Sequence, residues 1–127
     1  MNKRKATGVL IIARSTGNLF LMKRGDFGQH PMTWAMLSGE IDSGEKPLEA
    51  LMREVSEEIQ INPEIIEYHY VHTEKTDSLD FYYYMGFTDE EFEPTLNMEN
   101  LDWGWFPTNN LPQPLYPRMV KKIENLI

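Results

Sequence analysis

The chain has no cysteine among its 127 residues. This absence excludes disulfide frameworks, thiolate zinc sites and cysteine nucleophiles, and it favours a reducing compartment such as the cytoplasm. No apolar run reaches membrane-spanning length, so we expect no transmembrane segment and no membrane partner. No stretch is biased enough in composition to indicate a linker or disorder. The length therefore predicts one domain over residues 1–127.

Basic residues are scarce and scattered. The chain has 12 Lys and Arg against 20 Asp and Glu, which gives a formal net charge of −8. Such a charge repels a phosphate backbone and argues against long nucleic acids as partners. A small anionic substrate remains compatible with it, provided that a bound cation reverses the local field.

Periodicity predicts the secondary structure. Apolar and alternating runs favour strands over residues 5–14, 19–24, 65–73, 79–87 and 102–107. A helical period starts at Pro47 and is expected to stop near Ile61, because Asn62 precedes a proline. Residues 116–127 form a second amphipathic pattern, with Met119, Val120, Ile123, Leu126 and Ile127 on one side. Residues 25–31 are expected to form a loop. This order predicts an α+β fold with helices layered on a mixed sheet.

The first helix carries an unusual concentration of carboxylates. Glu54, Glu57 and Glu58 stand at positions i, i+3 and i+4 and therefore share one face. The like-charged pair Glu54 and Glu58 costs roughly 0.2–0.5 kcal/mol unless a cation gathers the oxygens. A solvated polar face is the alternative explanation. A tight glycine-containing loop precedes the helix and can aim further oxygens at this face, which favours a cation site.

The loop and the helix share a regularly spaced set of residues. Gly39 is followed after five residues by Glu45, and after seven more by the run Arg53-Glu54-Val55-Ser56-Glu57-Glu58. This pattern resembles the Nudix box. The similar segment spans residues 39–61, and flanking similarities extend over roughly the whole chain. Gln60 stands where the family has glycine, at a helix end expected to be left-handed. There, Gln60→Gly should stabilise the protein by up to roughly 1 kcal/mol. Before the box, Leu37 and Ser38 replace a proline and a glycine.

The resemblance implies a Nudix fold, an α/β/α sandwich with a mixed central sheet, in which the box holds Mg²⁺ or Mn²⁺. Hard cations prefer oxygen ligands, which agrees with this residue set. The resemblance implies that Glu54, Glu57 and Glu58 are metal ligands and that the backbone carbonyl of Gly39 is a further ligand. It also implies that Arg53 orients the carboxylates and that Glu45 braces the loop.

One further carboxylate is expected outside the box. Members of the family often supply a ligand or general base from a loop before a later strand. Glu99 precedes Trp105 by six residues and resembles that placement. Glu93, Asp102 or a plain surface role for Glu99 are the alternatives.

Substrate contacts are expected from the second strand and the segment after it. Arg24 and Lys23 are candidates for phosphate binding, Arg24 more so because its planar fork binds phosphate bidentately. Lys23 is alternatively an exposed strand residue. Phe27 and Trp34 are candidates for stacking on a base, and Trp34 is as readily a core residue.

The three histidines are not interpreted as a metal site. His69 and His72 lie three apart in a predicted strand, so they are expected to face opposite sides of the sheet, and His30 lies in a loop. A separate run of acidic residues, 89–93, is interpreted as a solvated turn.

The resemblance implies hydrolysis of a phosphoanhydride bond in a nucleoside diphosphate linked to another group. A nucleoside or deoxynucleoside triphosphate that yields the monophosphate is the leading expectation. ADP-ribose or another nucleotide sugar is the alternative substrate. A Nudix module that binds a nucleotide without cleaving it is the alternative function, although every box carboxylate and Arg53 are present. Family members are often homodimers.

Overall fold

The computed structural model describes residues 3–126 and contains one mixed sheet and two helices. The strands are β1 (Arg4–Ala13), β2 (Leu19–Arg24), β3 (Trp34–Ala35), β4 (Leu37–Glu40), β5 (Glu67–Lys75), β6 (Leu79–Thr88) and β7 (Asn100–Phe106). The helices are α1 (Pro47–Ile59) and α2 (Pro117–Leu126), and Pro63–Ile65 form a 3-10 turn.

Strand β1 organises the sheet. It pairs antiparallel with β2 and with β4, and it pairs parallel with β6 over its whole length. The main strand order is β3-β2-β1-β6-β5, and β7 is added to β2. The apolar run of β1 follows from this central position, because both of its faces are buried.

The two faces of the sheet have separate cores. Val9 and Ile11 of β1 pack with the α1 residues Leu51, Val55 and Ile59. Residues of β1 with the opposite orientation pack with Met119 and Ile123 of α2. The structure is therefore an α/β/α sandwich on a mixed sheet, as the sequence predicted. In the described part of the chain, neither helix is long and apolar enough to cross a membrane.

Helix α1 begins as predicted and ends two residues early. The Lys46 N–H donates to Oε1 of Glu49 at 2.8 Å, which satisfies one amide at the helix start. After Ile59, Gln60 takes φ 53° and ψ 41°, so the expected left-handed helix end is confirmed. The expectation that the helix runs close to Ile61 is corrected by this turn.

Two short strands were missed in the segment before α1. The glycine-containing loop is predicted over residues 34–46, yet β3 and β4 lie within this range. Their two and four residues are too few for a recognisable alternation. Their pairing with β2 and β1 depends on the assembled sheet.

Other element boundaries differ from the prediction by one or two residues. Strand β5 starts later than predicted because Pro63–Ile65 form the 3-10 turn, and β7 starts earlier, at Asn100. On α2, Met119 and Ile123 are buried as expected, whereas Val120 is exposed. The expectations for the side chain of Leu126 and for Ile127 lie outside the described residues.

The prediction for the histidine pair is wrong. His69 packs edge-on against Phe87, and His72 stacks on Tyr83. Phe87 and Tyr83 are four residues apart in one strand and share a face. A register shift between Tyr70 and His72 marks a β-bulge. Its extra residue reverses the alternation and brings both histidines to the same side.

Candidate active site

Strand β4 and helix α1 touch at Gly39. A Cβ added to Gly39 would lie 2.3 Å from Cδ and 2.5 Å from Oε1 of Glu54. No ordinary side chain fits at that separation, so glycine is what lets the carboxylate lie against the strand. Gly39 and Glu54, which are 15 positions apart in sequence, thus form one contact.

The segment between β4 and α1 is held against the helix by Arg53. Its Nε and Nη2 donate to the two carboxylate oxygens of Glu45, at 2.8 and 2.9 Å, and Nη2 also donates to the Glu40 carbonyl at 3.0 Å. Oε1 of Glu45 accepts the Asp42 N–H at 2.8 Å. The hydrogen bonds from Arg53, and then that from the Asp42 backbone, lower the pKa of Glu45 to about 2. Glu45 thus links the loop backbone to Arg53 of the helix, and its bracing role stays a prediction.

Arg53 also reaches two carboxylates on its own helix. Its Nη1 donates to Oε1 of Glu54 at 2.9 Å and to Oε2 of Glu57 at 3.2 Å. The second oxygen of each carboxylate remains a potential metal ligand. Burial raises the pKa of Glu54, and Arg53 opposes that rise. One guanidinium therefore orients both carboxylates from the side of the loop.

Glu58 is the buried member of the set. Only 7% of its surface is exposed, and its Oε2 has no protein hydrogen-bond partner. Burial, followed by the charges of Glu54 and Glu99, raises its pKa to about 9. The Asn100 side chain lines the same 30 Å³ cavity as Glu58, and its hydrogen bond to the carboxyl group lowers the pKa of Glu58. A buried carboxyl oxygen without a partner is costly unless something binds it.

Glu99 lies in the loop before β7, beside the box helix. Its negative charge contributes to the raised pKa of both Glu54 and Glu58. The charges of Glu93 and Asp102 are not among the largest causes of either shift. Glu54, Glu57, Glu58 and Glu99 are called the carboxylate cluster below.

The cluster is chemically suited to a hard divalent cation. All its potential ligands are oxygens, and the unpartnered Oε2 of Glu58 provides a buried acceptor. Within the part of the chain that the structure describes, no three acidic or histidine side chains are arranged to hold a metal ion directly. Arg53 occupies one oxygen each of Glu54 and Glu57, so water or substrate oxygens would complete a coordination shell.

A cavity of 270 Å³ lies on the other face of the sheet and reaches Gly39. Its wall combines apolar side chains with three arginines, Arg4, Arg24 and Arg118. Arg4 is paired with Glu40, and Nη1 of Arg118 donates to Oε1 of Glu74 at 2.8 Å. Carboxylates thus offset two of the three positive charges, and the local positive potential of the cavity depends mainly on Arg24.

Arg24 belongs both to this cavity and to the small cavity beside Glu58. Its guanidinium lies 4.8 Å from the centre of the Tyr116 ring, and Nη2 donates to the Gln29 carbonyl at 3.1 Å. Its Nε is buried without a hydrogen-bond partner. Arg24 therefore has donor capacity left for an anionic ligand.

The other three expected substrate residues do not line the cavity. Lys23 lies in β2 in register with Trp34 and Asp102. The Trp34 ring packs edge-on against Phe106 at 5.2 Å, so of its two alternatives the geometry favours the core. Phe27 is 60% exposed in the loop after β2 and remains a stacking candidate.

Most residues that line the cavity are not predictable from the sequence. Arg4 comes from β1 and Phe81 from β6, whereas Tyr116 directly precedes α2 and Arg118 lies in its first turn. The guanidinium of Arg118 lies 4.8 Å from the centre of the Phe81 ring, and its Nη1 donates to the Tyr83 hydroxyl at 3.1 Å. The available sequence signal was the position of Arg118 at the edge of the apolar stripe of α2, which is weak because arginine is common there.

A model of the NUDIX domain family matches residues 2–126. Two curated relatives are named RNA pyrophosphohydrolase, from Pseudoalteromonas translucida (strain TAC 125) and Shewanella sediminis (strain HAW-EB3). They are 34% and 38% identical to the chain over 58 residues, which is 46% of this chain. The match covers only 31% of the length of either relative.

The fold has close structural counterparts. The MutT NUDIX hydrolase from Burkholderia pseudomallei superposes with a TM-score of 0.80 at 22% identity, and the match covers 100% of both chains. At that identity the likeness concerns the fold, and substrate choice has to be argued from the site itself.

Proposed function

Because the chain belongs to the NUDIX domain family, we propose that it is a metal-dependent pyrophosphohydrolase. The reaction is hydrolysis of a phosphoanhydride bond in a nucleoside diphosphate linked to another group. The observation that carries the proposal is the position of Gly39. It touches Glu54 of the carboxylate cluster and also lines the arginine-walled cavity. A phosphate bound in the cavity would thus be presented to the cluster.

Each residue of the site has its own role in the proposed reaction. The cluster would hold Mg²⁺ or Mn²⁺, with the Gly39 carbonyl as a further ligand. When bound, such cations neutralise phosphate oxygens and lower the pKa of an attacking water. Arg53 keeps Glu54 and Glu57 oriented through its paired hydrogen bonds, and Glu45 keeps Arg53 in place. Glu99 would serve as an additional ligand or as the general base for the water.

The substrate is proposed to be a nucleoside or deoxynucleoside triphosphate that yields the monophosphate. A cavity of 270 Å³ is close to the lower end of the roughly 300–1,000 Å³ typical of small-molecule sites, which suits a mononucleotide. Arg24 would bind phosphate oxygens, and the Phe81 and Tyr116 rings would contact the base. A small substrate is also consistent with the net charge of −8.

A substrate panel tests the proposal. Purified protein with Mg²⁺ would be incubated with nucleoside triphosphates, deoxynucleoside triphosphates and ADP-ribose. An RNA with a terminal polyphosphate is added because of the names of the two relatives. Separation of the nucleotide products would detect both cleavage of a triphosphate to the monophosphate and pyrophosphate and cleavage of ADP-ribose to AMP and ribose 5-phosphate. We expect activity that is abolished by chelation and restored by Mg²⁺ or Mn²⁺, with the highest kcat/KM on a triphosphate. A higher kcat/KM on ADP-ribose would assign a different substrate to the enzyme, whereas the proposed type of reaction would stand.

Binding without cleavage is the competing function. A nucleotide-binding module would show nucleotide-dependent stabilisation in thermal unfolding but no turnover with any member of the panel. The intact set of charged box residues favours the enzyme, since Arg53 and each box carboxylate are present. A homodimer and a cytoplasmic location remain predictions, to be tested by sedimentation and by fractionation.

A further inference from the structure

Gln60 departs from the family pattern and has a specific contact. It occupies the left-handed region at the end of α1, where glycine is the least strained residue. Its side-chain Nε2 donates to the backbone carbonyl of Thr95 at 3.2 Å. A glycine at this position would relieve the backbone strain but would have no donor. The chain thus combines an unfavourable backbone conformation with a hydrogen bond to a distant loop.

That loop is fastened to the last turn of α1 by two more hydrogen bonds. The Thr95 N–H donates to the Ile59 carbonyl at 3.0 Å, and the Asn97 N–H donates to the Glu58 carbonyl at 3.1 Å. Helix ends leave such carbonyls without intrahelical partners, so the loop acts as the cap of α1. Gln60 supplies the side-chain bond in this contact.

The same loop leads directly to Glu99. Oδ1 of Asn97 accepts the Glu99 N–H at 3.0 Å, and the Glu99 carbonyl accepts the Gly25 N–H at 3.1 Å. Both sides of Glu99 are therefore fixed, one through Asn97 to α1 and the other to the end of β2. Movement of residues 95–97 would be transmitted to the Glu99 carboxylate across a few bonds.

We propose that Gln60 is a positioning residue that holds the 95–97 loop on the box helix and thereby places Glu99 in the carboxylate cluster. This proposal rests on the proposed function, and it gives a reason why glutamine replaces the family's glycine at position 60. Gln60 acts through the loop and does not touch substrate. Its removal should change the placement of Glu99 and leave the cavity intact.

The first test uses the metal-free protein and needs no activity. Amide hydrogen exchange at Thr95, Asn97 and Glu99 would be measured in wild type, Gln60→Gly and Gln60→Met. Met keeps the length of Gln and lacks its donor, whereas Gly lacks both the donor and the strain. We expect faster exchange at all three amides in both variants, by about 10-fold. Unchanged exchange in both variants would overturn the proposal.

The second test separates positioning from stability. Gln60→Gly should lower kcat by about 10-fold, the lower end of what partners of metal ligands contribute, while KM changes little. Its melting temperature should equal or exceed that of wild type because the strain is relieved. Gln60→Met should lower both kcat and melting temperature. A purely structural Gln60 would predict wild-type kcat for Gln60→Gly at temperatures where it is folded, and that result would refute positioning.

A double-mutant cycle distinguishes this proposal from the proposed function. Gln60→Gly should have no further effect on kcat in a Glu99→Gln background, because its target is already removed. Additive losses would mean that Gln60 acts elsewhere. If Glu99→Gln alone is silent, Glu99 has no role in the reaction and the positioning proposal falls with it, while hydrolysis by the box would stand.

Discussion

The two faces of the sheet differ in how their functional residues are brought together. On the α1 face, the glycine and charged residues of the box lie within residues 39–58, on β4, on α1 and on the loop between them. On the α2 face, the cavity takes its residues from β1, β2, β4, β6 and α2. All residues of the first site except Glu99 come from one stretch of 20 residues, whereas the second site draws on segments from across the sheet.

The comparison implies a separation of roles. Charge on the α1 face is negative and organised by Arg53, whereas three arginines surround the cavity on the α2 face. Changes on the first face should lower kcat, and changes on the second should raise KM. The variants below test that division in order of decreasing effect.

Glu57→Gln should have the largest effect on the α1 face. Loss of a ligand charge is expected to lower kcat by roughly 10³-fold, comparable to removal of a principal electrostatic group from an active site. Glu57 is exposed, so the fold should persist, and the metal-free melting temperature should not fall. Steady-state kinetics at saturating Mg²⁺ with circular dichroism check this, and near wild-type turnover would disprove a metal site on this helix.

Glu99→Gln tests the one residue of the carboxylate cluster that lies outside the box. As a base or ligand, Glu99 should contribute about 10²-fold to kcat and much less to KM. Glu93→Gln is the matched control on the same loop and should be nearly silent. A kcat for Glu99→Gln within about threefold of wild type, measured across the alkaline range, would remove Glu99 from the mechanism.

Arg24→Gln should affect the α2 face instead. A charge-assisted hydrogen bond to phosphate contributes about 1.5–3 kcal/mol, so KM should rise at least about 10-fold with a smaller change in kcat. Arg14→Gln is a suitable control, because Arg14 pairs with Glu67 and Asp89 away from the cavity. Equal effects of the two variants on KM would indicate general charge rather than a specific phosphate contact.

Trp34→Phe should have the smallest effect and would sharpen the boundary of the cavity. Since Trp34 packs against Phe106 in the core, we expect a loss of less than about 1.5 kcal/mol in the free energy of unfolding and an unchanged KM. Denaturant unfolding and substrate titration give the two quantities. A raised KM without loss of stability would return Trp34 to the substrate site.

Prediction from sequence succeeded where residues are close along the chain. The helical period placed Glu54, Glu57 and Glu58 on one side of α1, and the left-handed Gln60 followed from the family position. It failed for β3 and β4, which are too short to show a period, and for His69 and His72, whose relative orientation is set by a bulge. Strand pairing and bulges depend on partners that the local sequence does not specify.

The sequence by itself determined the α+β layering and the box, because helical and strand periods fix which side chains share a face. Only the tertiary structure brought Gly39 against Glu54, enclosed a cavity with Arg4, Arg24 and Arg118, and set the contact between Gln60 and Thr95. The residues brought together in this way lie 15 to 114 positions apart in the sequence. Arg4 and Arg118, which line the same cavity, are the most widely separated. Their geometry follows from sheet register and loop closure, which no periodicity along the chain encodes.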